Sequence, residues 1–527
     1  MVGIEGRLVD VEAHIGPGLP DFRIVGLPDA SVRESRDRVR AALRQIGLSL
    51  PAGRITVNLA PARLRKGGGS LDLAIACAVA GACEKLPGST LRRSLLLGEL
   101  ALDGTLRSVD GLVPLLVEAT RHPGLRIVIP EGGRPIAEAL DVRGWVACPS
   151  LEAAIQVLRG SPPASLSRVQ APRRGHPGFA LPDPKTGPRG GLEPEDMADV
   201  RGQALARRAA EIAAAGLHHL MLLGPPGSGK TMLARRMVGI LPPLTRQEWL
   251  EVLQTYSAAG RLHEHDPELR PWHPWARRPI RAPHHTCTTA GLIGGGARIS
   301  PGELTLAHRG LIFLDEFSEL PPETANALRE PMEEGWVTLT RGPASARLPA
   351  QTLVVAAANP CPCGLQGAPR SAGECRCSRI ELVRYRRRLG GPVADRFALW
   401  VWMRPVEEAE LVRHLEAEPS WKIRERVILA RERQRRRLEK AGFRMVPFGR
   451  SPVNGQLTAR ELTAFCPLDP RVEEAYVRLG RQVRVSARGM ANVLAVARTI
   501  ADLEGAERIG VEHMREAFQY RRSGGIE

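Results

Sequence analysis

Hydrophobic positions in the first 160 residues switch between two periods. "RITVNLAP" (54–61) and "LRIVIP" (125–130) are short apolar runs that read as buried strands, whereas "DASVRESRDRVRAALRQIG" (29–47) and "LDLAIACAVAGAC" (71–83) carry helical spacing. Both periods vanish in "GSPPASLSRVQAPRRGHPGFALPDPKTGPRGG" (160–191), whose Pro, Gly, Ser and Arg content predicts a linker. From 192 to about 405 apolar strands alternate with helices. "HHLMLLG" (218–224) runs through a glycine loop into "KTMLARRMVGIL", "RGLIFLDEF" (309–317) is a strand ending in acids, and "QTLVVAAANP" (351–360) is another. "GWVTLTRGPASARLP" (335–349) reads as a hairpin turning at Gly342 and Pro343. Beyond 406 the pattern is helical: "EEAELVRHL", "KIRERVILARERQRRRLEKAG", "ARGMANVLAVARTIADLEG" and "VEHMREAFQYR". The expectation is a multidomain α/β chain: a domain at 1–160, a linker at 161–191, a core at 192–405 and a helical domain at 406–527.

Length and composition agree with this division. The 527 residues exceed what a single core holds, and 43% hydrophobic with 25% charged residues fits a soluble globular protein. No run approaches the roughly 18 apolar residues of a membrane span, and "MVGIEGRLVDVEAH" lacks the layout of a secretion signal. A cytoplasmic location without membrane partners is expected.

Charge changes the picture. The net charge is +17, which favours polyanions through phosphate contacts. Only six of the 74 basic residues are lysine, so an arginine-rich coding bias contributes. The excess is uneven: residues 370–450 hold 21 basic and 11 acidic residues.

The clearest chemistry lies in "GPPGSGKT" (224–231). Gly224, Pro225, Pro226, Gly227, Ser228, Gly229, Lys230, Thr231 and Met232 form a loop between strand and helix that would cradle ATP. Its glycines let backbone N–H groups face phosphate oxygens, Lys230 would reach the outer phosphates, and Thr231 would ligate Mg2+. Asp315 and Glu316 end a strand about 85 residues later, where one acid can hold Mg2+ and its neighbour can polarise water. Asn359 ends the next strand and could orient that water, although an Asn-Pro pair is also a turn former. Arg396 and Arg488 are candidates for stabilising the transferring phosphoryl group.

Cys77, Cys83, Cys148, Cys287 and Cys466 are isolated and read as small core residues. Cys361, Cys363, Cys375 and Cys377 form two C-x-C pairs that could close a tetrahedral zinc site, with free thiols or a redox-labile pair as the alternative. His284 and His285 read as structural, because the pair lacks a further ligand at metal spacing.

"GPPGSGKTMLARR", "RAPHHTCTTAGLIGGGARISPGELTLAHRGLIFLDEF", "VVAAANPCPCG", "GPVADRF" and "RTIADLEG" together resemble the magnesium-chelatase-like AAA+ ATPases of the YifB/ComM type. "GLPDASVRESRDRVRAAL" and "ITVNLAPARLRKGGGSLDLAIA" extend the resemblance to the N-terminal domain. It implies a Lon-protease-like α+β domain, an AAA+ P-loop core and a C-terminal helical lid. It also implies ATP and Mg2+ as cofactors, a homo-hexamer, and a motor on single-stranded or branched DNA that promotes branch migration in natural transformation. Under it Asn359 is the first sensor, Arg396 a finger reaching a neighbouring subunit, and Arg488 the second sensor. Residues 281–300 are an insert, and the hairpin faces a central pore, with Arg341 and Arg347 as candidate phosphate contacts. The bland reading of that hairpin is an exposed turn with solvated arginines. Ser70 falls where a Lon-type nucleophile would lie, but Val113 takes the place of the lysine base and cannot accept a proton; Lys66 belongs to the turn before Ser70. An inactive protease domain is therefore expected. Family members usually carry another strand ahead of "GIEG", so either the start is called late or the first strand is missing, which would leave an exposed sheet edge there. A chelatase-like remodeller of a protein partner is the alternative function, and an ATP-dependent protease is the weaker one.

Overall fold

The computed structural model describes residues 3–62, 64, 66–161, 195–262, 278–296, 299–341, 344–367, 373–390, 393–406, 417–444 and 446–521. Nearly all of the expected linker, the expected helix at 407–415 and the hairpin turn at 342–343 lie outside them. The chain is mixed α/β and falls into two compact units, one within Met1–Ala180 and Leu253–Pro274, the other within Leu181–Val252 and Trp275–Glu527.

In the first unit, strand Arg54–Ala60 is central, antiparallel to Asp10–Gly16 and parallel to Asp21–Val25. A second sheet orders Ser94–Leu96, Arg126–Pro130 and Trp145–Cys148 in parallel. Strand Asp10–Gly16 stands at the end of its sheet. Helix Ala30–Gln45 starts at Asp29, whose carboxylate accepts from the Val32 amide. Helix Asp72–Ala82 is apolar on nearly every side and correspondingly buried. Its one acid, Asp72, is fully buried and answered by Ser35, by the Arg38 guanidinium at 2.7 Å and by the Leu100 amide at 3.2 Å. Val113 is fully buried, and its amide donates to Ser257 Oγ at 3.2 Å. Ser70 and Lys66 line a cavity of about 730 Å³, and Lys66 Nζ donates to the Pro61 carbonyl.

The second unit is built on five parallel strands in the order Ile280–Arg281, Leu311–Leu314, Leu353–Ala358, Leu220–Leu223, Leu399–Trp402. All residues of the three inner strands are buried, which explains why they appear in the sequence as continuous apolar runs without alternation. Register places Leu223 beside Ala358 and Leu314 beside Ala356, so the residues after each strand emerge at one edge of the sheet. Helices Ala204–Gly216, Ser420–Lys440 and Ala487–Glu504 share the same hydrophobic core.

Part of the basic excess of 370–450 is committed inside this unit. On helix Ser420–Lys440, Arg431 donates to the Ala214 carbonyl, Arg424 to Gly239 and Arg433 to Asp502; Arg426 pairs with Glu211 and Glu418, and Arg437 with Asp502. These arginines satisfy helix-end carbonyls and buried acids. The basic segment "RIELVRYRRRL" forms helix Arg379–Leu389, started by a capping box between Ser378 and Glu381.

The hairpin pairs Trp336–Arg341 with Ala344–Pro349 in antiparallel register. Three residues separate the hairpin from the strand that begins at Leu353, and Gln351 is the middle one. Gln351 is tied to Arg309, just ahead of strand Leu311–Leu314. The Arg309 amide donates to the Gln351 carbonyl at 2.7 Å, and its guanidinium donates to Gln351 Oε1, Ser451 Oγ and Glu251 Oε2, each at 2.7 Å. Burial pushes the Glu251 carboxyl up, but His308 and Arg309 outweigh it and hold the group at about 2.

Candidate nucleotide site and its surroundings

Four of the expected residues converge at the common edge of the sheet. Lys230 opens helix Lys230–Arg236 and is 9% exposed. Its ammonium donates to the Gly224 carbonyl at 2.6 Å, the Pro225 carbonyl at 2.9 Å and Asn359 Oδ1 at 3.4 Å. Burial lowers its pKa below the ordinary lysine value, and Asp315 opposes that. Thr231 Oγ1 donates to Asp315 Oδ2 at 2.9 Å. An ammonium, a hydroxyl, a carboxylate and an amide thus arrive from three neighbouring strands.

The loop suits a polyanion on two further counts. Gly227 has φ +78°, and a Cβ there would meet open space, so its conformation rather than crowding requires glycine. Ser228 Oγ is buried with no hydrogen-bond partner among the described residues, a donor available to a ligand. Thr231 and Asp315 supply the hard oxygen donors that Mg2+ prefers.

Glu316 adopts φ +49°, the left-handed region that is strained for this residue. Its Oε2 lies 2.8 Å from His285 Nδ1, and the His284 and His285 rings sit 4.1 Å apart. His285, read as structural from sequence, is therefore a neighbour of the candidate water-polarising acid. Adjacent histidines give no sign of that in the sequence, because the contact spans 31 positions.

Arg396 and Arg488 converge on another carboxylate. Arg396 ends the short turn Ala394–Arg396 and is 8% exposed; its guanidinium lies 2.7 Å from Glu333 Oε1 and donates to the Arg329 carbonyl at 3.3 Å. Arg488, in the first turn of helix Ala487–Glu504, pairs with the same Glu333 oxygen. Burial pushes Glu333 up, and the two arginines together bring it below the usual carboxylate range. Sequence reasoning missed Glu333, one acid among the acids of "REPMEE".

On the hairpin, Arg347 is exposed and its guanidinium stacks 4.6 Å from the centre of the Trp336 ring. Arg341 pairs through its backbone with Ala344, and its side chain lies outside the described residues.

Cys361, Cys363, Cys375 and Cys377 bring their sulfurs within 4.8 Å of one another. The Gln366 amide donates to Cys361 Sγ at 3.4 Å, and the Leu365 amide draws the Cys363 thiol down to about 6. Of the five cysteines read as core residues, Cys77, Cys148 and Cys466 are buried, while Cys83 and Cys287 are partly exposed. Among the described residues no helix is long and apolar enough to cross a membrane.

Three family models match successive parts of the chain: "Subunit ChlI of Mg-chelatase" at residues 11–133, "Magnesium chelatase, subunit ChlI" at 196–411, and "Magnesium chelatase, subunit ChlI C-terminal" at 417–521. The chain is 37% identical to YifB of Escherichia coli, covering 99% of this chain and 95% of that protein. It is 37% identical to the competence protein ComM of Haemophilus influenzae, covering 99% and 96%. An uncharacterized protein of Mycobacterium tuberculosis is 39% identical, covering 99% and 97%. A 66-residue stretch is 41% identical to the maternal DNA replication licensing factor of Xenopus laevis, covering 12% of this chain and 8% of that one.

Proposed function

Because the chain belongs to the YifB/ComM family of magnesium-chelatase-like proteins, we propose that it is an ATP-driven motor on DNA, working as a hexamer to move branched or partly single-stranded recombination intermediates. The observation that carries this reading is the convergence of Lys230, Thr231, Asp315 and Asn359 on one edge of the sheet. The names of two relatives, a competence protein and a DNA replication licensing factor, favour DNA as the track.

The roles follow from the groups present. Lys230 exchanges its loop carbonyls for phosphate oxygens, with the Gly227 and Gly229 amides and Ser228 Oγ supplying further donors. Thr231 and Asp315 would hold Mg2+, which when bound neutralises phosphate charge. Glu316 accepts a proton from water, which Asn359 helps to orient. Arg396 and Arg488 leave Glu333 to meet the charge that develops on the transferring group, Arg396 in a neighbouring subunit's site. Arg347, presented on Trp336, contacts the DNA backbone, with Arg341 on the opposite strand of the hairpin.

We assign residues 1–160 to a Lon-protease-like domain without proteolytic activity, since Val113 is apolar and buried where a base is required. The helices of 420–521 are assigned to a lid. The four cysteines are assigned to structural zinc, which elemental analysis of the purified chain tests.

A second reading, remodelling of a protein partner in metal insertion, is favoured by the chelatase-subunit description of all three matching family models. ATP-dependent conversion of a mobile four-way DNA junction separates the two, with Lys230→Ala as control. Conversion by the active chain alone supports the DNA motor. Steady ATP turnover that no DNA stimulates, with the junction intact, supports the remodeller.

A further inference from the structure

Resting on the zinc assignment above, we propose that the four-cysteine site also controls catalysis: the bound metal positions Asn359 and thereby sets the rate of ATP turnover.

The sulfur geometry suits a metal. Cys361 to Cys363, Cys363 to Cys375 and Cys375 to Cys361 are 3.4, 3.6 and 3.7 Å apart. Tetrahedral zinc with Zn–S of about 2.3 Å would set its sulfurs about 3.8 Å apart. A disulfide would require about 2.05 Å. The Gln366 amide hydrogen-bonds Cys361 Sγ from outside the cluster, as supporting groups of metal–thiolate sites do.

The two halves of the cluster lead to the same place by different routes. Cys361 is fully buried and lies one residue beyond Asn359-Pro360 on the continuation of the sensor strand. Its turn closes through the Gly364 amide to the Cys361 carbonyl at 3.0 Å. Gly364 has φ +77°, and a Cβ there would lie 3.0 Å from Pro226 Cδ, so this turn rests against the nucleotide loop. Cys375 and Cys377 lead through the capping residue Ser378 into helix Arg379–Leu389. That helix carries Tyr385, which is 5% exposed. Its hydroxyl donates to the Asn359 carbonyl at 2.8 Å and lies 2.9 Å from Ser318 Oγ, in the turn that follows Asp315 and Glu316.

A metal joining the first cysteine pair to the second therefore closes a ring. One arm of it is the chain leading back to Asn359, and the other is the Tyr385 hydrogen bond to Asn359. Without the metal the second arm loses its tether, and the Asn359 amide loses its fixed orientation toward water. Lys230 and Thr231 stand in the helix that follows a different strand, so nucleotide affinity survives. The cysteines and Tyr385 are positioning residues under this proposal.

The test uses the full-length protein and three readouts: zinc per chain, ATP turnover, and affinity for a fluorescent ATP analogue. The wild type is expected to hold about one zinc per chain. Cys375→Ser is expected to lose it, with kcat down about tenfold and nucleotide Kd within about twofold. Tyr385→Phe keeps all four thiols and is expected to keep zinc, while kcat falls about fivefold at unchanged Kd. A wild type free of zinc and fully active removes the metal assignment and this proposal with it. Zinc lost from Cys375→Ser at unchanged kcat leaves the metal site standing and overturns the coupling. If nucleotide binding collapses in Cys375→Ser, Tyr385→Phe decides: wild-type kcat with zinc retained overturns the coupling, and a reduced kcat at unchanged Kd upholds it.

Discussion

The residues around Lys230 and the arginine pair at Glu333 are both clusters of opposite charge, but they stand in different states of readiness. In the first, the ammonium, hydroxyl, carboxylate and amide already touch one another at the sheet edge, and the groups they occupy are weak competitors such as loop carbonyls. In the second, two cations share one carboxylate. A nucleotide can displace a carbonyl easily, whereas drawing an arginine from a glutamate requires a competing anion of comparable strength. Under the proposed function, the chain alone is organised for binding, and hydrolysis would wait on the release of the arginines.

Several substitutions would break or sharpen that contrast. The largest effect is expected from Arg396→Ala: about a 10³-fold loss of ATP turnover with nucleotide affinity nearly unchanged. Mixing it with Glu316→Gln should restore part of the turnover, because each variant supplies what the other lacks across a subunit boundary; no recovery at any mixing ratio would place Arg396 in its own chain's site. Asn359→Ala should cost about 10²-fold in kcat. An equal loss of nucleotide affinity would instead make Asn359 a holder of Lys230.

Acid is the next lever, and it does not release the arginines. The arginine pair keeps Glu333 ionised below the usual carboxylate range. Meanwhile His218, buried against Thr499 Oγ1 at 2.8 Å, has its pKa lowered by burial from 6.5 to about 3. As pH falls below 6.5 the unfolded chain binds a proton that the folded chain refuses, so stability drops, by about 2 kcal/mol at pH 5. Urea midpoints at pH 7.5 and pH 5 measure this, and His218→Gln should shrink the difference by about that amount, while His219 and His308, whose pKa values burial likewise lowers to about 4, keep the rest. The smallest effect is expected from Glu333→Gln. Freeing both arginines should raise turnover about threefold, the worth of a partly exposed ion pair; a fall would show that Glu333 aims the arginines rather than restraining them.

What the sequence reveals and what it hides divide along physical lines. The inner strands are legible because burial on both faces demands uninterrupted apolar runs, as in "LMLL" and "LVVAAA". The nucleotide loop is legible because its backbone needs glycine at Gly227 and Gly229, both at positive φ. The four cysteines stand out by their short spacing. Pairings across long separations are hidden: His285 with Glu316, and Arg396 and Arg488 with Glu333, involve residue types whose default place is a solvated surface. Counting charge does not show where each cation points. The arginines of helix Ser420–Lys440 add to the basic total but face carbonyls and acids of their own unit.

The tie between Arg309 and Gln351 has a mechanical consequence. It fastens the root of the hairpin to the start of the strand that ends in Asp315, and Gln351 itself leads into the strand that ends in Asn359. A tug on the hairpin is therefore delivered to both strands at their far ends, as a pull on the heel moves a blade. Under the motor reading, the acid and the amide would both feel a load at the hairpin through this one anchor. Force at the hairpin and timing at the phosphate would then be two readings of one displacement.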